Sequence, residues 1–169
     1  MLKWLWLSLT VILADQLGKQ AAMRWLIQHD PYPFLPYFNF SLAFNEGAAF
    51  SLLSEAGGWQ RWFFSALAVA ISIIILYWLK NLDAREKLLA TSLSLVLGGA
   101  LGNVVDRALY GKVTDFIDWY YYSSETCLPF FFRLNDATCH WPTFNLADSA
   151  IFLGAVLMIL QALFNKRLR

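Results

Sequence analysis

The sequence predicts a mostly α-helical membrane protein carrying a small β element. Three observations lead there. Of the 169 residues, 59% are apolar and 15% charged, whereas a soluble domain has about 45–50% and about 25%. Two runs, 62–79 and 88–105, hold eighteen residues each without a charge. Such runs are long enough to cross a bilayer, and in hydrocarbon a helix satisfies its own backbone. Finally, Phe38, Phe40, Leu42 and Phe44 alternate with Asn39, Ser41, Ala43 and Asn45, the period of a strand with one apolar face.

Taken in order, the first apolar stretch is 4–14, fading toward residue 23. Lys3 before eleven apolar residues also fits a signal peptide. The run enters Asp15, Gln16 and Lys19 rather than a small-residue cleavage site, which favours a retained span. Pro31, Pro33 and Pro36 then forbid a helix, and the alternating strand follows. Its apolar face has two readings: it lies on lipid or a ligand, or it packs on helix ends. Gly57-Gly58 marks a turn before the second span. The third span carries Ala90, Ser94, Gly98 and Gly102 at every fourth position, a stripe that lets helices approach closely. The fourth runs over about 147–164. The expected organisation is one integral membrane domain, 1–169, with spans at about 4–23, 62–79, 88–105 and 147–164.

Basic residues orient the spans. Lys3, Lys80, Arg85, Lys87, Lys166, Arg167 and Arg169 fall on one side with only Asp83 and Glu86; the other side holds the remaining six basic and ten acidic residues. Both termini and the 80–87 loop are therefore expected in the cytoplasm. Trp59, Trp62, Trp119 and Trp141 fall where an outer aromatic belt belongs. The net charge of +1, with no basic stripe, gives no sign of a nucleic-acid partner. Cys127 and Cys139 lie in the outward segment, where a cysteine pair points to a disulfide. A zinc site with His140 lacks the four closely spaced ligands expected of a structural site.

Charges inside a span are costly and mark pairing or function. Asp15 and Lys19 are four apart, on one helix face. Asn103, Asp106 and Arg107 share another, where Arg107 has the reach to fork onto a carboxylate. Asp115 and Asp118 follow Gly111, and Asn145 and Asp148 open the fourth span. The topology thus brings carboxylates from two elements to one depth. Two acids forced together share a proton and are able to activate water. The plainer alternative is that they cap helices and bind Arg107 or Lys112. A Ser/Lys pair using Lys19 or Lys112 stays open, as does a non-catalytic membrane scaffold.

Five ordered stretches carry a resemblance: Asp15-Gln-Leu-Gly-Lys19, Asn45-Glu-Gly-Ala-Ala-Phe50, Gly98-Gly-Ala-Leu-Gly-Asn-Val-Val-Asp-Arg107, Gly111-Lys-Val-Thr-Asp-Phe116 and Phe144-Asn-Leu-Ala-Asp148. The chain resembles the signal peptidase II family, the lipoprotein signal peptidases. The resemblance implies a four-helix aspartic endopeptidase of the bacterial cytoplasmic (inner) membrane, probed by substrate from its outer, periplasmic face. The strand segment around Asn45 resembles the family's small sheet, which is expected to lie on the membrane there. The substrates implied are prolipoproteins, cut just before a diacylglyceryl-modified cysteine. By the same resemblance Asp115 and Asp148 are catalytic. Asn45, Asn103, Asp106, Arg107, Asn145, Asp15 and Lys19 match supporting or substrate-binding positions. It implies no metal and no organic cofactor; membrane lipid surrounds the chain, and a monomer is the simplest assembly to expect. The thirty-two residues at 116–147 are more than the resemblance implies. The surplus, about 120–142, is expected to be a disulfide-closed outer loop with its aromatics on the membrane.

Overall fold

The computed structural model describes residues 1–47, 58–135 and 137–166. Residues 48–50 of the second motif stretch, Gly57, Arg167 and Arg169 lie outside the described residues. After a short turn at Leu2–Trp4, the elements are α1 (Leu5–Trp25), β1 (Tyr32–Leu35), β2 (Phe38–Asn45), α2 (Gln60–Asn81), α3 (Lys87–Tyr110), β3 (Val113–Tyr122), β4 (Phe132–Asn135), β5 (Thr138–His140) and α4 (Leu146–Lys166). The architecture is mostly helical with a small antiparallel sheet.

Among the described residues, three helices are long and apolar enough to cross a membrane: Gln60–Asn81, Lys87–Tyr110 and Leu146–Phe164. Helix α1 has 21 residues but carries Asp15, Lys19 and Arg24. Many large apolar side chains on the helices point outward, among them Leu17, Ile73, Ile74, Phe152 and Leu163, as expected of surfaces solvated by lipid.

Helix α3 is the centre of the bundle and packs on all three others. Its small residues explain this. A Cβ on Gly98 would stand 2.8 Å from the Ser8 carbonyl oxygen of α1. One on Gly99 would stand 2.3 Å from the Ala147 carbonyl oxygen and 2.7 Å from Ile151 Cγ1 of α4. Here backbone meets backbone. Ser8 donates to the Ser94 carbonyl at 2.8 Å on the same seam. Toward the other end, Ile75 and Leu79 of α2 pack with Ala90, Leu93 and Leu97 of α3. Gly111 ends α3 at φ 75°, a left-handed cap that costs a glycine little.

The sheet order is β1-β2-β3-β5-β4. Pro33 sits on β1, an edge strand, where a missing N–H is tolerated. The alternating segment forms β2, as its period predicts. Its apolar face is at least partly turned inward: Leu42 is buried with Ala22 and Phe116, and Phe40 and Phe44 pack against them. That favours the reading of a strand packed on the end of a helix.

The 120–142 segment departs from a plain loop. Tyr120, Tyr121 and Tyr122 extend β3 and pair with His140, Cys139 and Thr138 of β5, which pairs in turn with β4. Cys127 and Cys139 are bonded to each other, so neither offers a thiolate to a metal. Leu128, Phe130 and Phe132 are exposed.

Candidate active site

The site forms where α1, α3, β3 and the start of α4 meet. The N-terminus of a helix leaves its first N–H groups without partners, and the sequence answers this at α4. Asn145 Oδ1 accepts from the Asp148 N–H at 2.9 Å, while Asp148 Oδ2 faces the Asn145 N–H at 3.4 Å. The pair is a reciprocal cap. Asp15 of α1 adds a third partner, accepting from the Ala147 N–H at 2.9 Å. An acid at this end also meets the favourable pole of the helix.

Asp115 comes from β3, beside the α3 cap. Asn145 Nδ2 donates to Asp115 Oδ1 at 2.7 Å, and Asn45 of β2 adds a side-chain hydrogen bond. Asn103 Nδ2 of α3 donates to Asp148 Oδ1 at 2.8 Å. The two amides also meet, Asn145 Nδ2 lying 3.3 Å from Asn103 Oδ1. Asp115 and Asp148 are therefore held by one linked pair of asparagines. Asp115 is 2% exposed. Burial, and then the charge of Asp148, hold its carboxyl well above the usual carboxylate range, against the hydrogen bond from Asn145.

Behind this pair lies a charged cluster. Lys19 is fully buried and reaches Asp15 at 2.8 Å and Asp106 at 3.4 Å. It also donates to Asn103 Oδ1 at 2.8 Å. Gln16 donates to Asp106 Oδ1 at 2.9 Å and to the Gly102 carbonyl at 3.1 Å. Asp106 Oδ2 accepts from the Thr114 N–H at 2.8 Å, so the cluster positions the strand that carries Asp115. Beside Asp115 is a cavity of about 360 Å³, lined by Ala43, Phe44, Asn45, Asp115, Phe132, Pro142 and Thr143.

The family model described as signal peptidase (SPase) II matches residues 7–164. The chain belongs to the signal peptidase II family. Among its relatives, the lipoprotein signal peptidase of Alteromonas mediterranea is 44% identical over 97% of this chain and 82% of that protein. That of Shewanella oneidensis is 46% identical over 98% and 89%, and that of Polynucleobacter necessarius 47% over 94% and 88%. Two solved structures, each titled a bacterial membrane enzyme structure by the in meso method, share the fold. One has a TM-score of 0.77 at 27% identity, covering 97% of this chain and 89% of that one. The other has 0.74 at 28%, covering 95% and 92%. Membership of the signal peptidase II family makes this chain a protease of a multi-pass membrane type.

On this signal peptidase II scaffold, Asp115, Asp148, Asn45, Asn103, Asn145, Asp15, Lys19 and Asp106 converge in one network. Arg107 behaves differently from its expected fork onto a carboxylate. Its Nη2 donates to the Gly47 carbonyl at 2.9 Å, and its guanidinium lies 5.7 Å from the Phe64 ring centre. Helical spacing set its face but not its reach. Lys112 sits 3.6 Å from the Phe44 ring centre, a cation–π contact rather than a carboxylate pair. Asp118 is engaged elsewhere, with His140 Nδ1 at 2.8 Å and Asn39 Nδ2 at 3.1 Å. Ser149 donates to the Asn145 carbonyl at 2.9 Å, and Lys19 is taken up by acids, so these two do not form a nucleophile–base pair. Sequence reasoning assigned no role to Gln16 or Thr114. The place of Gln16 inside the first motif stretch was the available signal.

Proposed function

We propose that this protein removes signal peptides from prolipoproteins, cutting before a diacylglyceryl-modified cysteine with a water activated between Asp115 and Asp148. The observation that carries the reading is the convergence of these two carboxylates on the linked amides of Asn103 and Asn145. The raised Asp115 carboxyl suits the proton-bearing member. Asp148 then takes a proton from water as the water oxygen adds to the scissile carbonyl carbon. Asp115 gives its proton to the carbonyl oxygen. On collapse the C–N bond breaks, the nitrogen takes the proton from Asp148, and Asp115 recovers one from the new carboxylic acid. Asn103 and Asn145 serve both protonation states, because an amide both donates and accepts. Asp15, Lys19 and Asp106 hold the frame, and Arg107 and Asn45 border the substrate.

In the same reading the chain is a single domain of four spans with both termini cytoplasmic. It sits in the bacterial inner membrane, with the sheet and the dyad at the periplasmic face. The length of α1 supports its being the fourth span: 21 residues extend about 32 Å, and its two buried charges, Asp15 and Lys19, pair with each other, with Asp106 of α3 as a second acid on Lys19. A lipid-anchored cysteine keeps its scissile bond near the membrane surface, so the acids belong at that depth. The test is cleavage of a diacylglyceryl-modified precursor by the purified protein in detergent. Wild type is expected to cut before the cysteine, and Asp115→Asn and Asp148→Asn to leave the precursor whole. Full cleavage by either variant refutes the assignment.

A further inference from the structure

Helices α2 and α3 are joined by the short segment 82–86 and pack on each other. The start of α2 and the finish of α3 therefore lie at the same end of the pair, the end that leads into the sheet. Two cations stand there on different elements. Arg61 is in the first turn of α2, and Lys112 follows the Gly111 cap of α3. They are neighbours through that glycine. Arg61 Nη1 lies 3.0 Å from the point where a Cβ on Gly111 would stand, so the guanidinium rests on the main chain next to Lys112. Each cation lies over a ring. Arg61 Cζ is 4.7 Å from the Trp62 ring centre, and Lys112 Nζ is 3.6 Å from that of Phe44. Among the described residues the ion pairs join Lys19 to Asp15 and Asp106, and His140 to Asp118. Arg61 and Lys112 have none, and a ring offsets a positive charge only weakly at an exposed position. The depth is also marked. Trp59 and Trp62 are exposed at this end of α2, and such rings favour the headgroup layer of a bilayer.

We propose that Arg61 and Lys112 form a binding site for the phosphodiester of an anionic phospholipid, in the leaflet on the side of the sheet. The planar fork of Arg61 matches two phosphate oxygens, and Lys112 adds a compact charge on a flexible stem. A phospholipid held at this depth presents its phosphate to both. A zwitterionic headgroup brings its own ammonium to a place that already holds two unpaired cations. The site therefore selects a headgroup whose alcohol is uncharged, such as phosphatidylglycerol. The attraction is electrostatic, so it weakens as salt screens the exposed guanidinium.

The test titrates the full-length protein in detergent with phosphatidylglycerol or with phosphatidylcholine of the same acyl chains. Bound lipid is counted by native mass spectrometry, and Tm is followed in parallel. Wild type is expected to bind one phosphatidylglycerol about tenfold more tightly than phosphatidylcholine, the scale of two cations near a charged headgroup. Arg61→Gln combined with Lys112→Gln is expected to abolish that preference and to leave phosphatidylcholine binding as it was. Arg61→Lys keeps the charge without the fork and loses part of it. Lys80→Gln combined with Arg85→Gln, at the opposite end of the same two helices, keeps it whole. Equal affinity of wild type for the two lipids overturns the proposal, a readout that requires no variant to fold. So does a preference that survives the Arg61 and Lys112 substitutions, or one lost equally in the Lys80 and Arg85 variant. Inorganic phosphate that raises Tm as far as phosphatidylglycerol at matched ionic strength overturns the assignment to a lipid.

Discussion

Two groups of buried acids sit side by side in this protein and are handled in opposite ways. Asp15 and Asp106 share the ammonium of Lys19 and accept backbone N–H groups from Ala147 and Thr114. Asp115 and Asp148 have amide partners, and no ion pair reaches either among the described residues. A buried carboxylate against a buried ammonium has its charge fixed, because separating them leaves an uncompensated ion. A carboxyl against an amide is free to change its protonation. The first group therefore suits construction and the second chemistry. Asn103 touches both, accepting from Lys19 and donating to Asp148.

The contrast is sharpest in the response to single substitutions. Asp115→Asn and Asp148→Asn are expected to lower cleavage by about 10³-fold or more while the protein still accumulates in membranes, as measured by precursor processing beside immunoblotting. Lys19→Met is expected to do the reverse in kind. It strands two buried carboxylates and costs about 3–5 kcal/mol of stability, so the folded protein is lost before its rate can be measured; normal thermal stability of that variant would break the contrast. Asn103→Leu, at the junction, should lose about 10- to 100-fold in kcat, the size of a removed hydrogen bond to a charged group.

The pH dependence sharpens the contrast further. The folded Asp115 carboxyl is raised above its unfolded value, so its stabilising share is complete below the unfolded value. That share is lost as pH rises through the folded one. Activity that needs its proton should fall over the same rise, giving an alkaline limb in kcat/KM above the ordinary carboxylate range. Asp115→Asn removes the cost that burial imposes on this carboxyl at neutral pH and is expected to raise Tm there by about 2–4 °C, while cleavage is expected to be lost. The smallest effect is expected at Ser149→Ala, which loses one hydrogen bond to the Asn145 carbonyl and should keep most activity, unlike a serine nucleophile.

Much of this was legible in the sequence, for physical reasons that differ from part to part. Uncharged runs gave α2, α3 and α4 because bilayer thickness fixes their length. The spacing of Asp15 and Lys19 gave their ion pair because helical geometry is local. The stripe at Ala90, Ser94, Gly98 and Gly102 marked packing, and Gly98 and Gly102 do face α1, at Ser8 and Asp15. Strand β3 was missed. Its residues Thr114, Asp115, Phe116 and Asp118 are all buried, so polar and apolar residues share the interior and the period of two disappears. Its run of β-branched and aromatic residues was the remaining signal. The partners of Asp106 and Ala147 were not legible, since they depend on how α1 seats against two other elements. Arg107 shows the same limit: spacing names a face, while the atom met there depends on the fold.

The contact at Gly99 reaches further than packing. Because main chain there abuts main chain, the distance between α3 and α4 has a hard stop that no rearrangement of side chains can move. Asp148 comes one residue after Ala147, the point of contact, and so inherits that stop. A single methyl group added at position 99 would shift the Asp148 carboxylate relative to Asn103 well before it altered the outline of the molecule. The alignment of the chemistry is thus less forgiving than the shape that houses it.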